Sequence, residues 1–401
     1  RFSAAGNFAT GCGEIIAGVV LQQLQNRCGI GILPVERDHV TNVPFGEPLQ
    51  IRQFVLQVRR QPRNHAGAPA FAMLTLVDDP PNVPIKPHQF RVDRQNLTLG
   101  HEAVGVVERI GSEVKSFQEG ERVAVNAITP CFQCDNCVRG YTSQCTEMLG
   151  GWKFANVKDG VFADYFHVNS AEANLAQIPD SVADERAVYT CDMMSTAFAG
   201  AENADIPMGG TVAIFAQGPV GLMATVGARL QGAGLVIAVE TVPKRKELAR
   251  HFGADVVVDF CEQDAVEAIL GLTDGQGVDS SIEALGAQAT FEMCIKVTRP
   301  GGTISNVGYH GEGDYVKIPR QAWGVGMSDK TIRTALCPGG KVRMRRLLRL
   351  LETGRVDPTP MTTHTFAFDD LERAFRMMDT KENGIIKPLI EFQQGPELKK
   401  L

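Results

Sequence analysis

Thr211-Val212-Ala213-Ile214-Phe215-Ala216-Gln217-Gly218-Pro219-Val220-Gly221 is the stretch from which the fold can be read. Residues 211–215 form a short apolar run of the kind found in parallel strands buried on both faces. A glycine-bearing turn follows, and then Leu222 to Leu230 repeats apolar residues at helical spacing. In such a turn Gly218 lets the backbone approach a pyrophosphate, and Gly221 permits close packing of helix on strand. Pro219 and Val220 lie between them, where the helix start offers amide hydrogens and a positive dipole end to phosphate. Ala216 stands where the usual fingerprint has its first glycine.

The same rhythm continues outward. Leu235–Val239 reads as the next strand and Lys244–Phe252 as a helix ended by Gly253. Val256–Val258, Ser280–Glu283 and Thr303–Val307 read as further strands, separated by helical segments at 264–271 and 289–297. Alternation of β and α over roughly 130 residues predicts an α/β doubly wound parallel sheet. Glu240 closes the second strand, 19 residues after Gly221. An acidic side chain there accepts hydrogen bonds from both ribose hydroxyls and repels a 2′-phosphate, which favours NAD over NADP.

Upstream the pattern is β-rich, with short runs at Ala103–Glu108 and Arg122–Val125 split by glycine-rich turns. Four of the ten cysteines fall within one short loop, Cys131, Cys134, Cys137 and Cys145. Four thiolates can close a tetrahedral shell on one Zn²⁺ with no open position, so this reads as a structural zinc site. An iron–sulfur cluster is the chemical alternative, but the bacterial run ends in Cys-Pro. His101, in Gly100-His101-Glu102, and Asp192, in Thr190-Cys191-Asp192-Met193-Met194, offer an imidazole and a carboxylate, both good Zn²⁺ ligands.

Composition sets the outer limits. Of 401 residues, 44% are apolar and 21% charged, which excludes a wholly disordered chain, a collagen and a coiled coil. No apolar run is long enough to span a bilayer, so no membrane partner is expected. A net charge of −6 and only two Trp and five Tyr argue against nucleic-acid binding. The basic stretch Lys341–Leu351 reads as an amphipathic surface helix with a solvated cationic face. Clustered Cys-x-x-Cys spacing in a long chain belongs to a reducing compartment, the cytoplasm or an organelle.

Residues 1–70 differ from the rest and are expected to be an atypical N-terminal extension. They begin at Arg1, include Gly11-Cys12-Gly13 and Gly29-Ile30-Gly31-Ile32, and run into a basic stretch from Arg52 to Arg63 without sustained periodicity. The ending Lys399-Lys400-Leu401 resembles a peroxisomal signal only loosely, since the small first residue is missing.

Together these features resemble the zinc-dependent medium-chain dehydrogenases, most closely the secondary-alcohol, isopropanol-type members. Further marks are Leu99–Gly105, Gly151-Trp152-Lys153-Phe154, Asp159–Asn169, Tyr309-His310-Gly311, Leu336-Cys337-Pro338-Gly339-Gly340 and Ile386-Lys387-Pro388. The resemblance runs from Leu97 to Phe392, plus Phe71-Ala72-Met73-Leu74. It implies a GroES-like catalytic domain at 71–195 carrying the zinc lobe, a Rossmann NAD-binding domain at 196–335, and a return to the catalytic domain at 336–401. It also implies that His101 and Asp192 hold a catalytic zinc and that Glu102 is a carboxylate able to enter or leave the metal's shell. By the same resemblance Trp152 lines the substrate pocket and Lys387 contacts the cofactor pyrophosphate. The substrate would be a small alcohol, with a ketone or aldehyde as product, and the assembly a homo-oligomer, a tetramer rather than a dimer.

The chain departs from that pattern in one place. The family's third zinc ligand is a cysteine before Gly-His-Glu, followed by a proton-relaying hydroxyl residue and commonly a histidine. Only 25 residues separate Leu74 from Gly100, and Thr75 to Thr98 contains no cysteine. Cys28 lacks matching neighbours. Either the first third derives from a misassembled gene, which the intact downstream chemistry favours, or the product is a catalytically impaired NAD-binding protein. A zinc-free quinone or enoyl reductase and a polyol or threonine dehydrogenase are the rival activities.

Overall fold

The computed structural model describes residues 57–59, 71–73, 97–311 and 313–392. The remainder of the expected extension, Cys28, the segment from Leu74 to residue 96 and the C-terminal Lys399-Lys400-Leu401 lie outside the described residues. All described residues belong to one compact unit, Gln53–Asp78 with Pro84–Leu401.

In chain order the first strands are β1 (Gln57–Arg59), β2 (Phe71–Met73), β3 (Glu102–Arg109), β4 (Arg122–Val125) and β5 (Leu175–Gln177). Helix α1 (Met193–Asn203) follows. The parallel half then runs β6 (Thr211–Phe215), α2 (Pro219–Leu230), β7 (Leu235–Val239), α3 (Pro243–His251), β8 (Val256–Val258), α4 (Ala265–Leu272), β9 (Val278–Glu283), α5 (Gln288–Val297), β10 (Thr298–Asn306) and β11 (Thr331–Thr334). The chain ends with α6 (Lys341–Glu352), β12 (Thr362–Ala367), α7 (Leu371–Thr380) and β13 (Lys387–Glu391).

Strands β6 to β11 form a parallel sheet in the order β11-β10-β9-β6-β7-β8. With β6 as the first strand this is the 3-2-1-4-5-6 order of a dinucleotide-binding sheet, whose direction of winding reverses between β6 and β9. Burial explains the apolar strands: Val212, Ala213, Ile214 and Phe215 are all at 0% exposure. Helix starts follow local chemistry. Pro219 and Pro243 open α2 and α3, where no amide hydrogen is needed, and the Asp264 carboxylate caps α4 by accepting Glu267 N–H at 2.9 Å.

The other sheet, β12-β13-β2-β3-β4-β5, is built from both ends of the chain, and β1 adds along β3. Within the basic stretch Arg52 to Arg63, which lacks sustained periodicity, Gln57–Arg59 nevertheless forms a strand, its backbone pairing with Val106, Val107 and Arg109. A three-residue strand is too short for periodicity to reveal it. Strand β13 reaches this sheet from the far C-terminus, pairing with β2 through Leu389–Met73 and Glu391–Phe71.

Helix α6 confirms the amphipathic reading. Met344, Leu347, Leu348 and Leu351 are buried and its exposed face is basic. Four such side chains contribute roughly 1.5–3 kcal/mol each, enough to hold a cationic helix on the core. Among the described residues no helix is long and apolar enough to cross a membrane.

Candidate active site and zinc lobe

The turn after β6 is set by two close approaches. Ala216 has φ +68°, the left-handed conformation that a glycine would adopt without strain. At Gly221 a Cβ would stand 1.9 Å from Ala216 O, so only glycine lets the first turn of α2 pack on this bend. Above Gly218, by contrast, a Cβ would meet nothing within 4 Å, leaving open backbone at the helix start.

Glu240 sits beside this turn with its carboxylate bound to backbone amides. Its carboxylate is 4% exposed and accepts the backbone N–H groups of Gln217 at 2.9 Å, Thr241 at 2.8 Å and Val242 at 3.0 Å. It therefore ties the end of β7 to the turn after β6, and the Arg245 guanidinium lies 3.7 Å away. A carboxylate has about four acceptor positions, so capacity beyond these three amides remains.

His101 and Asp192 meet although 91 residues separate them: His101 Nε2 lies 3.2 Å from Asp192 Oδ2. His101 stands immediately before β3, and Asp192 is the residue that opens α1. Asp192 does not cap its helix; its Oδ1 accepts the Thr196 hydroxyl one turn on, both side chains being buried. Burial would favour the neutral carboxyl, but the hydrogen bond and charge of His101, with Thr196, bring Asp192 down to about 2. Burial likewise works against a charged His101, yet the Asp192 hydrogen bond and charge outweigh it and raise the imidazole above its ordinary range. Two ligands 2.0–2.1 Å from a tetrahedral Zn²⁺ stand roughly 3.4 Å apart, so the pair fits adjacent positions on one ion. Among the described residues the only group of three or more candidate ligands is the cysteine lobe, so no third ligand joins this pair there.

Glu102 and Lys387 are also brought together. The Lys387 ammonium donates to Glu102 Oε2, and the two side chains are 1% and 0% exposed. The ammonium assigned to the pyrophosphate by resemblance is thus engaged beside His101 in this structure. Trp152 packs against Ala127, Ile128 and Cys337. The Cys337 thiol is pushed well above its ordinary range by burial and by the nearby Asp192 charge, and its Sγ lies 3.9 Å from the backbone oxygen of Cys191, the residue before Asp192.

The cysteine lobe is local. The ligand atoms of Cys131, Cys134, Cys137 and Cys145 all lie within 4.8 Å of one another, and Cys134 Sγ is 3.9 Å from Cys145 Sγ. Zn–S bonds of 2.3 Å at tetrahedral angles separate sulfurs by roughly 3.8 Å, so the four fit one zinc ion. Amide hydrogens point at these sulfurs, from Cys134 to Cys131 Sγ at 3.3 Å and from Cys131 to Cys145 Sγ at 3.4 Å. Hydrogen bonds from Thr146 draw the Cys134 thiol down to about 5, whereas burial pushes Cys137 up to about 12. The lobe is fastened to the Cys337 segment by Gly339 N–H donating to the Thr142 hydroxyl at 2.9 Å.

Sequence reasoning missed Thr196 and Glu283. Thr196 could have been found four residues after Asp192, on the same helix face. Glu283, the last residue of β9, is completely buried at the crevice end of the sheet. An acidic residue at the C-terminal end of a buried strand was the only signal.

Comparison with known proteins agrees with this architecture. Residues 81–180 match the alcohol dehydrogenase GroES-like domain, and residues 219–353 match the zinc-binding dehydrogenase family. The chain is 49% identical over 299 residues to the NADP-dependent isopropanol dehydrogenase of Thermoanaerobacter brockii, covering 74% of this chain and 85% of that protein. It is 45% identical over 311 residues to an alcohol dehydrogenase of Cupriavidus necator, covering 74% of this chain and 84% of that protein. Among solved structures it resembles zinc-dependent alcohol dehydrogenase 2 from Streptococcus pneumonia, with TM-score 0.74 and 27% identity over 88% of this chain and 95% of that one. With its two-sheet fold, its dinucleotide-type turn and its four-cysteine lobe, the chain belongs to the zinc-dependent medium-chain alcohol dehydrogenases, close to the isopropanol type.

Proposed function

We propose that this chain passes a hydride between a small secondary or primary alcohol and NAD, with His101 and Asp192 as zinc ligands. The observation that carries the reading is the 3.2 Å approach of His101 Nε2 to Asp192 Oδ2, made across 91 residues. When bound, zinc supplies stabilisation of an alkoxide at neutral pH. His101 and Asp192 would hold the ion, and Thr196 fixes which carboxylate oxygen Asp192 turns toward His101. The Trp152–Cys337 cluster gives the alcohol's carbon substituents an apolar wall and keeps bulk water away. The turn from Gly218 through Pro219 and Val220 to Gly221 receives the pyrophosphate. The cysteine lobe takes a second, structural zinc. Domain limits of 71–195, 196–335 and 336–401 and a homotetramer belong to the same reading.

NAD is preferred on the charge around Glu240. A 2′-phosphate would face a carboxylate, and the nearby Arg245 is already balanced by it. The relative named above as NADP-dependent makes this a sharp test. Specificity constants with the two cofactors should favour NAD; a preference for NADP would overturn the assignment.

One observation favours a second reading, an NAD-binding member with impaired catalysis: no third donor joins His101 and Asp192 among the described residues. Zinc content and 2-propanol oxidation, measured on protein purified without chelators, separate the two. Two zinc ions per chain with turnover support the dehydrogenase. One zinc and no turnover of any short alcohol support the impaired form.

A further inference from the structure

We propose that Glu283 and His310 are positioning residues for the nicotinamide end of the cofactor, holding the loops after β9 and β10 as one rigid edge of the crevice. This rests on the dinucleotide-binding reading above.

Glu283 ends β9 in register with Phe215, the last residue of β6, and with Asn306, the last residue of β10. It therefore stands at the C-terminal edge of the sheet beside the reversal of winding, where open α/β sheets bind ligands. Its backbone oxygen accepts Val307 N–H at 2.9 Å and Gly308 N–H at 3.1 Å, while Ala284 N–H donates to Phe215 O at 3.2 Å. Its buried carboxylate accepts Leu285 N–H at 3.0 Å, Gly286 N–H at 2.9 and 3.0 Å, and the Thr290 hydroxyl at 2.6 Å.

His310 closes the cluster from the other loop. Its Nε2 lies 2.8 Å from Asn306 Oδ1 and 3.6 Å from Glu283 Oε2, and its ring stands edge-on to Phe291 at 5.7 Å. The loops interlock so tightly that a Cβ on Gly308 would lie 2.1 Å from Glu283 Oε2. Leu285 and Tyr309, one from each loop, are half exposed on this edge, at 56% and 51%.

The two ends of a dinucleotide lie on opposite sides of its pyrophosphate. The phosphate turn follows β6, and the β7 side carries Glu240 and so the adenosine ribose. The β9–β10 side is left for nicotinamide. A buried carboxylate with this many donors is costly as mere filling, because an apolar side chain of similar size would serve stability as well. What the carboxylate adds is a fixed direction for the Leu285 and Gly286 amides.

The test compares NADH with ADP-ribose, which keeps the adenosine and pyrophosphate but lacks nicotinamide. Glu283→Gln replaces an acceptor oxygen with an NH₂ group that opposes the Gly286 amide; His310→Phe keeps the ring and removes its polar contacts. We expect NADH binding, read by nicotinamide fluorescence, to weaken about tenfold in either variant, with ADP-ribose binding unchanged and KM for cofactor raised more than kcat is lowered. Equal losses for NADH and ADP-ribose, or no loss for either, would overturn the proposal. If Glu283→Gln does not fold, His310→Phe decides alone. A wild-type protein that binds neither NADH nor ADP-ribose would sink the dinucleotide reading instead.

Discussion

Lys387 donates to Glu102 inside the core, joining the first residue of β13 to the first residue of β3 across 285 positions of chain. Removing one partner of a sealed ion pair strands the other charge away from water. Lys387→Met should therefore lower unfolding free energy by about 3–5 kcal/mol, with Lys387→Arg losing less. Urea unfolding measures this, and a Met variant within about 1 kcal/mol of wild type would show that water reaches Glu102.

The cysteine lobe should hold its zinc independently of the alcohol site. Cys134→Ser removes one of four ligands, so elemental analysis should find one zinc fewer per chain and thermal unfolding should begin earlier. Metal binding at such a site is folding free energy, which links the two readouts. Unchanged zinc content would refute the assignment.

Lys158 gives a pH signature of its own. Burial draws its ammonium down to about 7 from 10.5, with only partial opposition from the Asp159 charge. Between those values the unfolded chain binds more protons than the folded one, so this residue makes stability rise with pH from about 7 toward 10. Lys158→Met should flatten that part of the wild-type curve. Its loss of the 3.1 Å contact to Asn169 Oδ1 shifts the whole curve but not its slope. Parallel curves for the two proteins would contradict the effect.

The bend at Ala216 and Gly221 can be probed from both sides. Left-handed backbone costs a non-glycine residue roughly 1–2 kcal/mol, part of which glycine returns as chain entropy. Ala216→Gly should therefore stabilise by up to about 1 kcal/mol. Gly221→Ala should destabilise by about 2 kcal/mol or more, since its new methyl overlaps the Ala216 carbonyl. Nucleotide affinity should fall with it. If both substitutions are silent in calorimetry, the bend is not the constraint described here.

Much of the molecule was legible in the chain because its signals are local. The apolar run at Val212–Phe215, the turn to Gly221 and the helix beyond follow from strand burial and backbone sterics within one βα unit. The cysteine lobe was legible for the same reason. The place of Glu240 at the end of a strand was legible, but the three amides it accepts were not, because they belong to two separate segments. Strand β1 was missed because three residues carry no period.

The parallel sheet, the glycine turn after β6 and the four-cysteine lobe can be read from the sequence alone, since each depends on residues close together along the chain. That His101 faces Asp192, that Lys387 pairs with Glu102 and that Glu283 lies beside His310 emerges only in the folded chain. Those contacts depend on strand order, with the C-terminal β13 returning to lie beside β2 and β9 packing between β6 and β10. Spacing along a chain carries no information about which distant strands become neighbours, because that choice is made by the summed burial of whole sheets.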